Sequence, residues 1–169
     1  MKRILLSKAI KDESIYMINN NSKIFSQPYY NSINGRVRFV NLKKINLSDY
    51  NLKGDYQREL LQNPLVCIEI EYINLNQTEN SIDIFENNCN LIDLDGYSFK
   101  VFSTKGYNFR GGFNEPKEIY RIFNLPDNSY YGQTDLIPKI KQTLELFFIV
   151  PDEETDYYFE IVNGIIEEI

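Results

Sequence analysis

Histidine is missing from all 169 residues. With it go Ser-His-Asp and Cys-His catalysis, histidine acid–base steps and most metalloenzyme ligand sets. Carboxylates remain. Glu69 and Glu71 lie two apart in a run of alternating character, so their side chains project to the same side of a strand. A hydrolase relying on carboxylates alone would use that pair, whereas on the outer surface of a sheet the same pair is a solvated face. Asp93-Leu94-Asp95-Gly96 invites a calcium-loop reading. Aligning Gly96 with the loop glycine, however, puts Leu91 and Phe102 where the first and last carboxylates belong. A hairpin turn fits better, with Asp95-Gly96 supplying positive φ values. Gly111-Gly112 has no following lysine and no helix to orient it, so no phosphate loop is present. Cys67 and Cys89 are the only cysteines; without histidine a four-ligand zinc site is disfavoured, and two buried thiols are the simpler expectation. No cofactor is implied, and the chain is expected not to be an enzyme.

The residues best suited to recognition are Tyr107, Phe109, Arg110 and Phe113, on a glycine-containing stretch, followed by Tyr130 and Tyr131. Aromatic side chains with one arginine are the types that dominate protein-binding hot spots, and long connections tend to carry function. The plainer alternative is that Phe109 and Phe113 fold back to cover one end of the domain.

These residues need a scaffold, and the sequence describes a β one. The 13 Tyr and 11 Phe, with abundant Ile, suit pleated, half-buried surfaces. From Leu65 to Ile73 the residues alternate, with Val66, Ile68, Ile70 and Tyr72 on one face and Cys67, Glu69 and Glu71 on the other. Leu144 to Val150 is a nearly continuous apolar run stopped by Pro151, which predicts a central strand. After the acidic stretch Asp152 to Asp156 comes a further strand, Tyr157 to Val162, broken by Asn163-Gly164. Arg36 to Leu42 begins just after the turn dipeptide Asn34-Gly35, and Asn90 to Asp93 with Tyr97 to Phe102 reads as a hairpin. One helix is predicted, from Glu115 to Phe123, with Asn114 as cap and Leu125-Pro126 ending it; Gln57 to Gln62 is a further short turn. The pattern predicts one domain over residues 1–169, an all-β antiparallel sandwich with one short helix in a long inter-strand connection. Residues 1–35 read as an N-terminal extension or extra hairpin.

In order and spacing, Val37 to Ile161 resembles the immunoglobulin-like (telokin-like) β-sandwich domains of unknown function found in lipoproteins and surface proteins of Gram-positive bacteria. The resemblance rests on a first strand at Val37 to Ile45 and on Val66 to Asn74 as a strand ending in Asn. Next come Ile82-Asp83-Ile84 and the hairpin Asn90 to Tyr97, then Leu136-Ile137-Pro138 and the strand Leu144 to Val150 ending at Pro151. It implies an immunoglobulin-like sandwich and carries over no catalytic residue. The family's leader and lipidation cysteine have no counterpart, and Gly106 to Asp135 is longer than the family's connection.

A formal net charge of -6 disfavours nucleic acid or an anionic membrane surface as partner, since either needs a positive field. The densest basic stretch, Arg36, Arg38, Lys43 and Lys44, is soon followed by Asp49, Asp55 and Glu59. No apolar run approaches the roughly 18 residues that span a bilayer, and Ser7-Lys8 interrupts the run after Met1-Lys2-Arg3-Ile4-Leu5-Leu6 too early for a signal peptide. The expectation is a cytoplasmic protein-binding module acting through the aromatic stretch. A second expectation is an acidic immunity or inhibitor protein that captures a basic toxin or nucleic-acid-binding enzyme through Asp152 to Asp156. The third is the carboxylate-only hydrolase.

Overall fold

A computed structural model describes residues 3–19, 34–45, 62–81, 85, 88–101, 103–107, 135–162 and 164–169. The predicted helix Glu115 to Phe123, Ile82-Asp83-Ile84 and all but the last residue of Gln57 to Gln62 lie outside these residues. In chain order the elements are β1 (Arg3–Leu5), α1 (Leu6–Lys11), β2 (Ile15–Asn19), β3 (Gly35–Ile45), β4 (Leu65–Asn74), β5 (Asn80–Ser81) and β6 (Cys89–Asp93). They continue with β7 (Ser98–Lys100), β8 (Ser103–Tyr107), β9 (Asp135–Leu136), β10 (Lys141–Ile149), β11 (Tyr157–Ile161) and β12 (Ile165–Glu168).

The architecture is an antiparallel β-sandwich. A six-stranded sheet runs β12-β2-β3-β4-β10-β8 and a four-stranded sheet runs β1-β11-β6-β7, with β5-β9 as a small separate ribbon. Alternation decides what each strand buries. On β4, Val66, Ile68, Ile70 and Tyr72 face inward, while Glu69, Glu71 and Ile73 stay partly exposed. Phe39 joins the layers: its ring meets Tyr16 edge-on at 5.7 Å within its own sheet and Phe159 of the opposite sheet at 5.1 Å. Buried side chains of this kind contribute about 2 kcal/mol each. Tyr72 packs edge-on against Phe85 at 5.2 Å. No helix among the described residues is long and apolar enough to cross a membrane.

Residues 3–19 belong to both layers. β1 pairs with β11 in the smaller sheet, α1 crosses over with Leu6 and Ala9 fully buried, and β2 pairs with β3 and β12 in the larger sheet. β10 and β11, the consecutive strands on either side of the acidic stretch, also fall in different sheets, so that connection is a crossover between layers.

Two turns differ in detail from their sequence reading. In the β6–β7 hairpin only Gly96 has positive φ, at 96°. The Asp93 carboxylate accepts from the backbone N–H groups of Asp95 (3.0 Å) and Tyr97 (2.8 Å), so an Asx-type loop takes the place of a two-residue primed turn. Gly35 opens β3 and is buried under a ring. A Cβ there would stand 2.3 Å from Tyr72 Cε2, so glycine is required for close approach.

Candidate functional site

Antiparallel register brings residues from all six strands into two adjacent rows on the outer face of the larger sheet. One row reads Glu167, Met17, Arg36, Ile73, Lys141; the next reads Ile15, Arg38, Glu71, Thr143, Tyr107. Where the rows meet, Ile15, Arg36, Val37, Arg38, Glu71, Ile73 and Lys141 line an open groove of about 160 Å³. That is room for about five water molecules or one short side chain. Its aliphatic members are exposed to different degrees: Ile15 keeps 47% of its surface and Ile73 is half-buried.

The charges in the groove do not balance. Arg38 directs Nε (2.8 Å) and Nη2 (2.7 Å) at Glu71 Oε2, and Lys141 Nζ stands 3.8 Å from Oε1. Glu71 is thus the counter-ion of two cations. Arg36, exposed and in register with Ile73, makes no ion pair or hydrogen bond with any described residue. Three cations against one carboxylate leave a local excess of two positive charges on a chain whose net charge is -6.

Buried amides hold Lys141 in place. Asn74, fully buried, donates through Nδ2 to the carbonyls of Leu136 (2.7 Å) and Thr78 (2.9 Å), and its Oδ1 accepts from Asn76 N–H at 2.9 Å. Its own carbonyl accepts from Lys139 N–H at 2.9 Å. Lys139 adopts φ 63°, a left-handed conformation costing about 1 kcal/mol. Gln142, also buried, accepts from Ile137 N–H at 2.7 Å. Together these bonds fix residues 135–142 beside the end of β4, because an unpaired amide in this interior would cost more than any rearrangement returns.

Of the aromatic residues singled out in the sequence, Tyr107 lies at the end of edge strand β8, in register with Thr143 and in the same row as Glu71 and Arg38. Phe109, Arg110, Phe113, Tyr130 and Tyr131 lie outside the described residues. Tyr107, at the end of β8, belongs to the larger sheet, whereas Asp135 opens β9 in the separate β5-β9 ribbon.

Glu69 and Glu71 share the outer face. Glu69 stands opposite Glu145 on one side and Asn41 on the other, and no group of acids, cysteines or histidines able to hold a metal exists among the described residues. Cys67 and Cys89 are buried in different sheets and are not joined by a disulfide. Burial alone pushes the Cys89 thiol far up from its ordinary value. The acidic stretch is partly engaged: Lys44 Nζ donates to the Glu153 carbonyl at 2.8 Å and lies 3.7 Å from Asp152, while Asp156 is bound to Ser7. Glu153 and Glu154 are exposed. Lys44 pairs with Val66, whereas Arg36 and Arg38 pair with Ile73 and Glu71, which puts the acidic stretch and the groove at opposite ends of the sheet, about 20 Å apart.

In sequence Arg36 and Arg38 stood out only as part of a basic stretch, although their spacing of two in a strand is the signal that puts them on one face. Their convergence with Ile15 and Lys141 had no such signal, since it depends on strand order. No protein-family model matches the chain, and neither a curated protein nor a solved structure is significantly similar to it.

Proposed function

We propose that this protein is a non-catalytic cytoplasmic binding module that holds a partner protein on the outer face of its larger sheet. The observation that carries this reading is the groove between β2, β3, β4 and β10, where exposed aliphatic surface adjoins Arg36, which has no ion pair among the described residues. Exposed apolar area rimmed by charge is the usual composition of a recognition surface. The recognition residues Phe109, Arg110, Phe113, Tyr130 and Tyr131 are proposed to contribute to binding as well, the first of them two residues beyond Tyr107 of the larger sheet. Two buried cysteines without a disulfide accord with a reducing compartment.

Affinity capture from the cells that make the protein tests the proposal when wild type is compared with two variants. Ile15→Asp, which puts a charge into the groove, is expected to release a stoichiometric partner, and Glu153→Lys with Glu154→Lys is expected to retain it. The reverse pattern would favour the acidic-inhibitor reading at the far end of the sheet.

A further inference from the structure

We infer that the groove seats an acidic side chain of the partner protein, its carboxylate held between Arg36 and Lys141 and its apolar neighbours resting on Ile15 and Ile73. This rests on the proposal that the outer face is the interface, and it adds the chemistry recognised there. Arg36 and Lys141 flank Ile73 in a single cross-strand row, two strand spacings or about 10 Å apart. Long, flexible cations at that separation can close on one small anion above the isoleucine between them.

The two cations are differently placed to do so. Lys141 is only loosely paired, 3.8 Å from Glu71 with 63% of its side chain exposed. Arg36 makes no ion pair with a described residue: Glu71 is taken up by Arg38 and Lys141, and Glu167 in the same row accepts from Asn19 Nδ2 at 3.3 Å. The guanidinium is a planar fork that matches a carboxylate with two parallel hydrogen bonds. Arg38 is already committed to Glu71, which holds it at the groove wall.

The surroundings limit the anion to one of small size and single charge. Glu69, Glu71, Glu145 and Glu167 all project from this face, so a nucleic-acid backbone or a membrane of anionic lipid would meet carboxylates on both sides of the cations. A lone aspartate or glutamate between apolar residues meets the cations and the aliphatic surface together. That selects an acidic protein segment.

The test uses the intact protein, labelled with ¹⁵N, and the peptide acetyl-Ser-Leu-Asp-Leu-Ser-amide as probe, beside its asparagine and phosphoserine counterparts. The aspartate peptide should shift the Arg36 Nε–H signal and the amides of Ile73 and Lys141. The asparagine peptide should bind about tenfold more weakly, as should the aspartate peptide to Arg36→Gln, each having lost one charge-assisted contact. Equal binding of the aspartate and asparagine peptides, absence of shifts at those three residues, or a phosphoserine peptide bound more than tenfold tighter than the aspartate one would each overturn the inference. Cellular capture separates this failure from that of the interface. If Arg36→Gln with Lys141→Gln keeps a partner that Ile15→Asp loses, the face stands and the acidic anchor falls. Retention by Ile15→Asp as well removes the interface itself.

Discussion

Asp156 and Ser7, separated by 149 positions in the chain, are joined twice: one carboxylate oxygen accepts from the Ser7 backbone N–H at 3.3 Å and the other accepts from its hydroxyl. The same carboxylate accepts from Tyr157 N–H at 2.8 Å. Ser7 lies in the first turn of α1, which begins at Leu5 with no side-chain cap of its own. Helix starts leave backbone donors unpaired, and here the lead-in to β11 supplies the missing acceptor from the far end of the sequence.

Asp156→Ala should therefore lower stability by about 1 kcal/mol, as loss of a helix cap does, while Asp156→Asn, which retains an acceptor oxygen, should recover most of it. Urea denaturation of the two variants measures both. Equal midpoints for wild type and Asp156→Ala would mean the contact contributes nothing.

Gly35 and Tyr72 form a second dependency. A Cβ at residue 35 would lie 2.3 Å from Tyr72 Cε2 and 2.5 Å from its hydroxyl oxygen, and the tyrosine, fully buried against Phe85, has nowhere to move. Gly35→Ala should cost about 3 kcal/mol. Adding Tyr72→Leu should make the two effects markedly less than additive, because the ring that clashes is then gone. Strict additivity in a double-mutant cycle would place the cost of the alanine elsewhere.

Alkaline pH supplies a third expectation. Burial pushes Cys89 and Tyr72 far above their ordinary values of 9.0 and 10.0, and Tyr16 and Tyr157 shift upward for the same leading reason. Below those ordinary values each group is neutral in both folded and unfolded chains. Above them the unfolded chain ionises first, so stability falls as pH rises past about 9 for Cys89 and past about 10 for the tyrosines. Each fully buried group steepens the fall by about 1.4 kcal/mol per pH unit. Denaturation midpoints from pH 7 to 11 should show the decline, and Cys89→Ala should delay its onset. A thiol reagent at neutral pH should leave Cys89 unmodified until the protein unfolds.

Much of this scaffold was legible from alternation and breakers alone. Val66, Ile68, Ile70 and Tyr72 declared the inner face of β4, the apolar run before Pro151 declared β10, and Asp93 to Gly96 marked a hairpin turn. These are local signals, each contained within about ten residues. Layer assignment is not local. Tyr157 to Ile161 reads as a strand following another strand, and nothing in its side chains says that it pairs with Arg3–Leu5 and Cys89–Asp93 in the opposite sheet. For the same reason the first residues looked like an appendage, although Ile4, Tyr16 and Ile18 are core.

The groove was hidden for a related cause. Ile15, Arg36, Glu71 and Lys141 come from four separate segments, and only the order β2-β3-β4-β10 places them side by side. The alternation of Arg36 with Arg38 and of Glu69 with Glu71 was available as a sign of two charged outer faces. That Arg38 rather than Arg36 would neutralise Glu71 is a matter of register, which sequence periodicity does not fix across strands separated by long connections.

Asn74 and Gln142 have a meaning beyond stability. By holding residues 135–142 against the end of β4 from inside the core, they make the return point of the long connection independent of what lies within it. Because the anchoring groups are part of the core, substitutions at the exposed positions Lys139 and Ile140 leave the attachment itself untouched. In that respect the two amides act as a mounting bracket: the surface residues between them can change during evolution without redesigning the frame.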